Sequence, residues 1–517
     1  MKIGSALPGT LKGVEGTQPD FHYADDVALV AESLPDLQAL LDHTVASLAA
    51  RDLRLSVDKC VGLLLGGNDF TGRRHQVTVD GQRLKWSGDP KGERYLGLMF
   101  SQTASALEMA EHRAACLTSS FYATTSHMRA APDFPAAVPT FLKLLHTVME
   151  PAGLYGCELW GLLSLPGLSS EAPVSLQQFY ALTDTLEKTR CSLIRQWLKL
   201  PVGVPKLALL YEFGCEPLVH SYVRRAVRFY NDLLDLPANS AYRGALRQNV
   251  TEAFAAWHSG SRVRDRPCNF VRALFQVLRT LLPSERGLQG CFRREEALDA
   301  AAVEQALQDR YSEFVAAAAR VTEGPGSRVG LYFREVALHA LGDVPSYFAL
   351  RVSNGVMTRC LRFRLGCHHL RVHTGRWLQP PLPRNGRTCI RCTCQSVDDE
   401  AHCLLFCEHP ALTSRRTALA SYLQPEVRLD AIRTYKQFWQ AMAACGQSQG
   451  QVVARFIATC VRVAWQCHQN GVPGGHIAPS PEGSEQVDFL DDESAGEELV
   501  EVFPEESDGE ELVEVIG

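Results

Sequence analysis

The sequence predicts an α+β protein in which a short strand-rich N-terminal part precedes a long helical body. Three observations carry this reading. The first hundred residues contain β-like apolar runs separated by turn signals, among them Phe21-His22-Tyr23-Ala24-Asp25-Asp26 followed directly by Val27-Ala28-Leu29-Val30-Ala31. From about residue 102 to 350 apolar residues recur at helical spacing instead. Beyond them, Cys389, Cys392, His402 and Cys407 fall at metal-ligand spacing within a nineteen-residue window, and the chain from about Ala478 onward is acidic and of low complexity.

The elements follow in order. Asp25 and Asp26 sit at a turn between two strand-like segments, where Asp is favoured because it tolerates turn geometry and bonds its own main chain. Ser33-Leu34-Pro35-Asp36 reads as a helix start with Pro in the first turn. Leu37, Leu40, Leu41, Val45 and Leu48 then form one apolar face. Val61–Leu65 reads as a strand, and residues 76–86 as a hairpin about Asp80-Gly81. A half-sheet of this kind leaves a raw edge that must be covered. Helices are expected over Ala104–Met128, Phe141–Met149, Leu176–Trp197, Val219–Leu234 and Ala297–Val321. Pro and Gly clusters at 163–173 and 201–205 punctuate them. Residues 257–267 and 322–329 read as flexible loops. Val452–Arg462 contains Arg455 and Arg462 and reads as a helix in water, not a membrane span.

Composition bounds the function. A chain of 517 residues has room for two to four domains, and 46% hydrophobic with 21% charged residues is ordinary globular protein. The net charge of −6 conceals an asymmetry. Residues 481–517 hold fifteen Asp and Glu and no Lys or Arg, so residues 1–480 carry 52 basic against 43 acidic side chains, a net +9. A basic body suits a polyanion partner, RNA or DNA. The seventeen scattered cysteines without a secretory apolar region after Met1 point to reduced thiols in an intracellular protein of nucleus or cytoplasm. The tail repeats Gly-Glu-Glu-Leu-Val-Glu-Val at 496–502 and 509–515 and is too acidic to build a core, so it is expected to be disordered.

Cys389, Cys392, His402 and Cys407 have the spacing Cys-x2-Cys-x9-His-x4-Cys. Two thiolates on one turn plus an imidazole and a third thiolate can close a tetrahedron around structural Zn²⁺. His402 and Cys407 are expected on neighbouring turns of one short helix. Cys394, Cys403 and His409 are competing ligands, and a cysteine-rich loop without metal is the plainer alternative. Just upstream, Arg351, Arg359, Arg362, Arg364, Arg371, Arg376, Arg384, Arg387 and Arg391 fall within 41 residues that contain no acid. With Phe363 and Trp377 interleaved, they are candidates for phosphate contact and base stacking, against the alternative of a solvated basic helix.

Several segments in one order resemble the reverse transcriptases of non-LTR retrotransposons. Tyr23-Ala24-Asp25-Asp26 is similar to that family's palm-domain metal turn. Asp52–Cys60 and Glu93–Leu98 resemble its "GLxLNxxKT" and "YLG" segments. Met149–Trp160 resembles "P-x-x-x-Y-G-x-E-x-W", and Leu207–Leu218 resembles "aLlxELGxxPl". Arg362–Leu370 and Glu400–Cys407 resemble the stretch and the zinc knuckle that end such elements, with one residue fewer between Glu400 and His402. The likeness spans roughly residues 20–410. It implies the second half of a palm at 1–100, a helical thumb-like region at 101–235, a helical connector at 236–350, a basic segment with knuckle at 351–415, C-terminal helices at 416–477 and the tail at 478–517.

The resemblance also implies roles. Asp25 would bind catalytic Mg²⁺, Asp26 would support it, and Tyr23 would lie beside the primer terminus. Lys59 would protonate leaving pyrophosphate, with a solvated lysine as the alternative. Tyr95, Leu96 and Gly97 would form the primer grip. The family activity is RNA-directed DNA polymerisation. Two Mg²⁺ ions need carboxylates from two strands, and the family's first catalytic Asp and template grip lie upstream of the metal turn, where only 22 residues precede Tyr23. A truncated enzyme, inactive alone, is therefore expected. The other reading is a zinc-knuckle nucleic-acid-binding protein that keeps a vestigial palm.

Overall fold

The structure is a computed structural model, and it describes residues 20–23, 26–31, 33–64, 77–87, 92–101, 105–129, 138–165, 174–180, 184–258, 269–282, 285–322, 327–375, 378, 380–423 and 427–470. The chain is mostly helical with a few small strands, as an α+β reading requires. It forms two compact units. The first is built from Met1–Leu117, Pro151–Leu186 and Leu218–Arg310, and the second from Thr118–Glu150, Glu187–Pro217 and Tyr311–Gly517.

The strands of the first unit form four separate two-stranded pairs. Asp20–Tyr23 pairs antiparallel with Asp26–Leu29, and the closing partners Tyr23 and Asp26 leave a two-residue connection between them. Thr78–Val79 and Gln82–Arg83 form the expected hairpin. Its central residues Asp80 and Gly81 both have positive φ (51° and 74°), the type I′ geometry that Asp-Gly favours because its twist matches the strands. Val61–Gly62 pairs with Lys85–Trp86, and in parallel.

Helix Leu34–Ala49 begins as its sequence requires, with the Ser33 side chain accepting from the Asp36 amide at 3.3 Å. Its apolar face covers the hairpin. Leu41, Val77, Val79 and Leu84 form a small buried core, with Leu37 and Val45 against it. Gln38 adds a polar seam, accepting from the Thr78 amide at 2.7 Å and donating to the Thr78 carbonyl at 2.9 Å.

The helical part of this unit centres on helix Leu218–Asp235. Leu218, Val219, Tyr222, Val223, Ala226, Val227 and Tyr230 are buried at helical spacing along one face. Tyr222 meets Trp160 edge-on at 5.6 Å, and Tyr230 packs on Phe292, which also meets Phe254 and Phe275. The expected single helix over Leu176–Trp197 is two, Leu176–Phe179 and Thr185–Trp197. Tyr180 ends the first and turns inward. Its hydroxyl sits 3.1 Å from His220 Nε2 and 3.3 Å from the Leu307 carbonyl, a buried polar anchor that a continuous helix would not place.

In the second unit, helix Gln447–Asn470 packs against helices Asn354–Arg364 and Pro410–Leu423. Two buried ion clusters brace this unit. Arg190 joins Glu187 and Glu150, the latter at 2.8 Å, and donates to the Glu216 carbonyl at 2.7 Å. Arg364 joins Glu212, whose carboxylate also accepts from Tyr332 at 2.6 Å and from Tyr347. Breaking one partner of such a pair costs about 3–5 kcal/mol because the other charge stays buried. The end of the expected loop 322–329 is helical instead, since residues 327–329 open helix Ser327–Leu331. Helices Ala241–His258, Phe270–Leu281 and Asn354–Arg364 join those the sequence pattern marks. Among the described residues no helix is long and apolar enough to cross a membrane.

Candidate metal centre

The four expected ligands meet. One donor atom from each of Cys389, Cys392, His402 and Cys407 lies within 4.8 Å of every other. Cys389 Sγ is 3.9 Å from Cys407 Sγ, and Cys392 Sγ is 3.4 Å from His402 Nε2. A tetrahedron with Zn–S near 2.3 Å and Zn–N near 2.0 Å has edges of about 3.5–3.8 Å. The donor set therefore fits a metal such as zinc in both chemistry and spacing.

Local structure explains how. A bridge between Thr388 and Val397 and the 2.8 Å bond from the Cys389 amide to the Ser396 carbonyl close the loop that carries Cys389 and Cys392. His402 opens a wide π turn, His402–Phe406, sealed by the 2.7 Å bond from the Cys407 amide to the His402 carbonyl. In a regular α-helix residues five apart point about 140° away from each other. The wide turn removes that divergence, so both side chains face the loop. Asp399 starts the turn by accepting from the His402 amide at 3.0 Å, and Arg416 caps its end, donating to the carbonyls of Leu404 (2.8 Å), Cys403 (3.3 Å) and Cys407 (3.1 Å).

The thiols are unequal. A hydrogen bond from Cys389 holds the Cys407 thiol far below its ordinary range against the pull of burial, with His402 and Arg391 adding to the effect. Cys389 is raised in turn, first by the same bond and then by burial. The Arg391 amide points at Cys389 Sγ at 3.4 Å, and its buried guanidinium pairs with buried Asp398. Thus Arg391 adds to the lowering at Cys407, surroundings that favour a metal-ready sulfur there. Of the competing ligands, Cys394 is exposed, with Sγ 2.9 Å from Cys392 Sγ and 3.8 Å from His402 Nε2. Cys403 is buried and interacts with Cys460, and His409 is not among the clustered donors.

A second cluster, His368, His373 and Glu400, is buried and shares the 398–402 segment with the first. Both Nε2 atoms approach the same oxygen, Glu400 Oε1, at 3.0 and 3.1 Å. Burial opposes the Glu400 charge, but these two hydrogen bonds hold its carboxyl well below the usual range. The Leu370 amide donates to His368 Nδ1 at 3.4 Å, which leaves the proton on Nε2. His368 is then a donor to Glu400, and the trio is a hydrogen-bonded clamp joining the π turn to the 367–374 segment. Asp398 makes a parallel tie, accepting from the Arg371 amide at 2.9 Å while its carbonyl accepts from Val372 at 3.0 Å.

The basic segment divides. Arg364 is not available to a ligand. It is buried, paired with Glu212, and lies over the rings of Tyr347 (4.6 Å) and Trp439 (4.4 Å). Its expected place among the nucleic-acid contacts is corrected on that ground, since a fully committed guanidinium has no free donor fork. Arg391 is internal too, and Arg387 donates to the carbonyls of Leu382 and Val372, both at 2.8 Å. Arg359, Arg362 and Arg371 are half-buried, Arg362 donating to the Lys199 carbonyl at 2.8 Å, while Arg351 and Arg384 are exposed. Arg376 and Trp377 lie outside the described residues.

Of the palm-like residues, Asp25 lies outside the described residues, and only the backbones of Tyr23 and Asp26 are described, on facing strands. Lys59 is exposed on a 3₁₀ turn, Val57–Lys59. Tyr95, Leu96 and Gly97 form a hairpin turn between Glu93–Tyr95 and Leu98–Phe100, with φ of 48° at Leu96 and 80° at Gly97. Tyr155 donates to the Leu96 carbonyl at 2.9 Å, and Arg113 donates to the Gly97 carbonyl and stacks on the Tyr155 ring at 5.4 Å. Arg113, Asp398, Arg416 and the Glu400 clamp carry no spacing signal, because each acts through partners far away in sequence. Comparison with protein families, curated proteins and solved structures finds no match to this chain.

Proposed function

We propose that this chain binds RNA and DNA through a zinc-stapled basic module spanning residues 351–416, and that it is a portion of a reverse transcriptase of the non-LTR retrotransposon type. The observation that carries the proposal is the tetrahedral set Cys389, Cys392, His402 and Cys407, tied through Glu400 and Asp398 to the arginine-rich segment beside it. Zinc bound there fixes the fold of the module. Arg359, Arg362 and Arg371 are its candidate phosphate contacts. The polymerase reading is supported by the antiparallel pairing of Asp20–Tyr23 with Asp26–Leu29 and by the Tyr95-Leu96-Gly97 turn held by Tyr155, where one box of the resemblance meets another. Catalytic Mg²⁺ would need a second carboxylate strand beside Asp25; nucleic-acid binding is the activity that the zinc-stapled module supports.

The test is fluorescence anisotropy of the zinc-loaded chain with single- and double-stranded RNA and DNA at several salt concentrations. Binding that weakens with salt, and that falls several-fold with a shallower salt slope in R359Q/R371Q, is the expected result. Equal binding by that variant removes the basic segment from the interface. Primer extension abolished by D25A would instead establish a complete polymerase site.

A further inference from the structure

The second unit contains an apolar cavity of about 230 Å³ that the proposed nucleic-acid module does not use. Its walls come from segment 336–350, from Cys360 and Arg364 on one helix, from Trp439, Met442 and Ala443, and from Gly450, Val453, Ala454 and Ile457 on helix Gln447–Asn470. Among the described residues no carboxylate lines it, and Arg364 in its wall is neutralised by Glu212. A cavity of this kind rejects charge and takes apolar groups. It exceeds the roughly 150 Å³ apolar cavity that admits a benzene ring.

We infer that the cavity is the receptor for the chain's own acidic repeat, the apolar residues of Gly-Glu-Glu-Leu-Val-Glu-Val-Phe (496–503) or Gly-Glu-Glu-Leu-Val-Glu-Val-Ile (509–516). Three observations select this occupant. First, both copies of the repeat end on a bulky apolar residue, Phe503 and Ile516, which extends the apolar pattern one position beyond the identical heptapeptide. These and the Leu and Val residues are the groups the cavity suits, and no other strongly acidic stretch of the chain repeats this pattern. Second, the charges match. The chain from Leu350 to Arg391 holds nine arginines and no acid, of which Arg364, Arg387 and Arg391 are committed inside the fold. Arg351, Arg359 and Arg455 adjoin lining residues and are exposed or half-buried, against Glu335 and Asp343 on the opposite side of the balance. Third, the segment can reach. Cavity residues Gly450–Ile457 lie 13–20 residues before Asn470 on the same helix, a distance of about 20–30 Å at 1.5 Å per residue. The 25 residues from 471 to 495 span up to about 80 Å when extended. Tethering then supplies a high effective concentration, and two copies double it.

Hydrogen exchange read by mass spectrometry on the full zinc-loaded chain tests the proposal. The expected result is exchange at least tenfold slower than free-peptide rates in one or both octapeptides, with slower exchange of 442–457 than in a variant whose eight apolar tail residues (Leu499, Val500, Val502, Phe503, Leu512, Val513, Val515, Ile516) are serine and whose acids are intact. Filling the cavity with Ala454→Phe should release the tail in the same way. If that variant does not fold, the serine variant decides, since it leaves the cavity untouched. Free-peptide exchange of both octapeptides in the natural chain overturns the proposal. So does slowed exchange that survives the serine substitutions, which would make the contact one of charge alone. A small apolar molecule retained by the natural chain in native mass spectrometry, with the tail exchanging freely, would assign the cavity to a diffusible ligand instead.

Discussion

Cys407 and Cys394 stand five Å or less from the same imidazole region, yet they have opposite surroundings. Cys407 is buried, receives Arg391's field and belongs to the four-donor set, whereas Cys394 is exposed. Cys407→Ser is expected to abolish zinc binding and unfold residues 389–407, while Cys394→Ser keeps one zinc per chain, as read by elemental analysis and by cysteine alkylation. A second residue-level consequence concerns His369, which meets the Trp465 ring at a tilt (4.3 Å) and stacks on His468 (5.3 Å). Burial, with His468, His368 and Arg362 beside it, lowers its pKa to about 3. In the unfolded chain a histidine titrates near 6.5. Between those values the unfolded state holds a proton that the folded state does not. The stability associated with a neutral His369 is therefore complete above about pH 6.5, falls as pH drops below it, and levels off near pH 3. Denaturant unfolding of His369→Gln against the natural chain from pH 7.5 to 5 should show a shallower loss in the variant. Parallel curves would mean that His369 takes up its proton alike in the folded and unfolded states.

At the scale of the element, the turn at Leu96–Gly97 is constrained both by its backbone and by a neighbouring side chain. A Cβ on Gly97 would sit 3.2 Å from Tyr155 Cε1 as well as at φ +80°, whereas Gly81, at φ +74°, faces open space. Left-handed backbone costs an L-residue roughly 1–2 kcal/mol. Gly81→Ala is expected to lose about that much, and Gly97→Ala more, by the contact with Tyr155. Equal losses in denaturant melts would show that Tyr155 yields freely. The π turn at His402 makes a related point. Its ligand geometry depends on a hydrogen-bond register that the residue pattern does not announce, and Arg416 from a separate helix completes it.

For the whole molecule, charge is the organising variable. Residues 1–480 carry +9 and residues 481–517 carry −15. If the tail competes with nucleic acid for basic surface, deleting 481–517 strengthens RNA and DNA binding and steepens its salt dependence by about one counterion per phosphate contact regained. Anisotropy titrations of both chains at several salt concentrations check this. Identical affinity and slope would leave the tail without a role in binding.

The sequence by itself determined the features whose physics is local. The capped start at Ser33, the Asp80-Gly81 turn, the amphipathic face of helix Leu218–Asp235 and the four metal ligands could be read directly, because spacing, turn chemistry and periodicity act over a few residues. Tertiary structure alone decided what depends on distant partners. Arg364 reads as a surface arginine in a basic run, but the buried carboxylate of Glu212, 152 residues away, draws it inside. Tyr180 breaks an otherwise continuous helical pattern because His220 and the Leu307 carbonyl compete for it. Glu400 becomes a clamp because two histidines from another segment donate to one oxygen. In each case a buried polar group must find a partner, and the cost of leaving it unpaired outweighs the local preference of the chain.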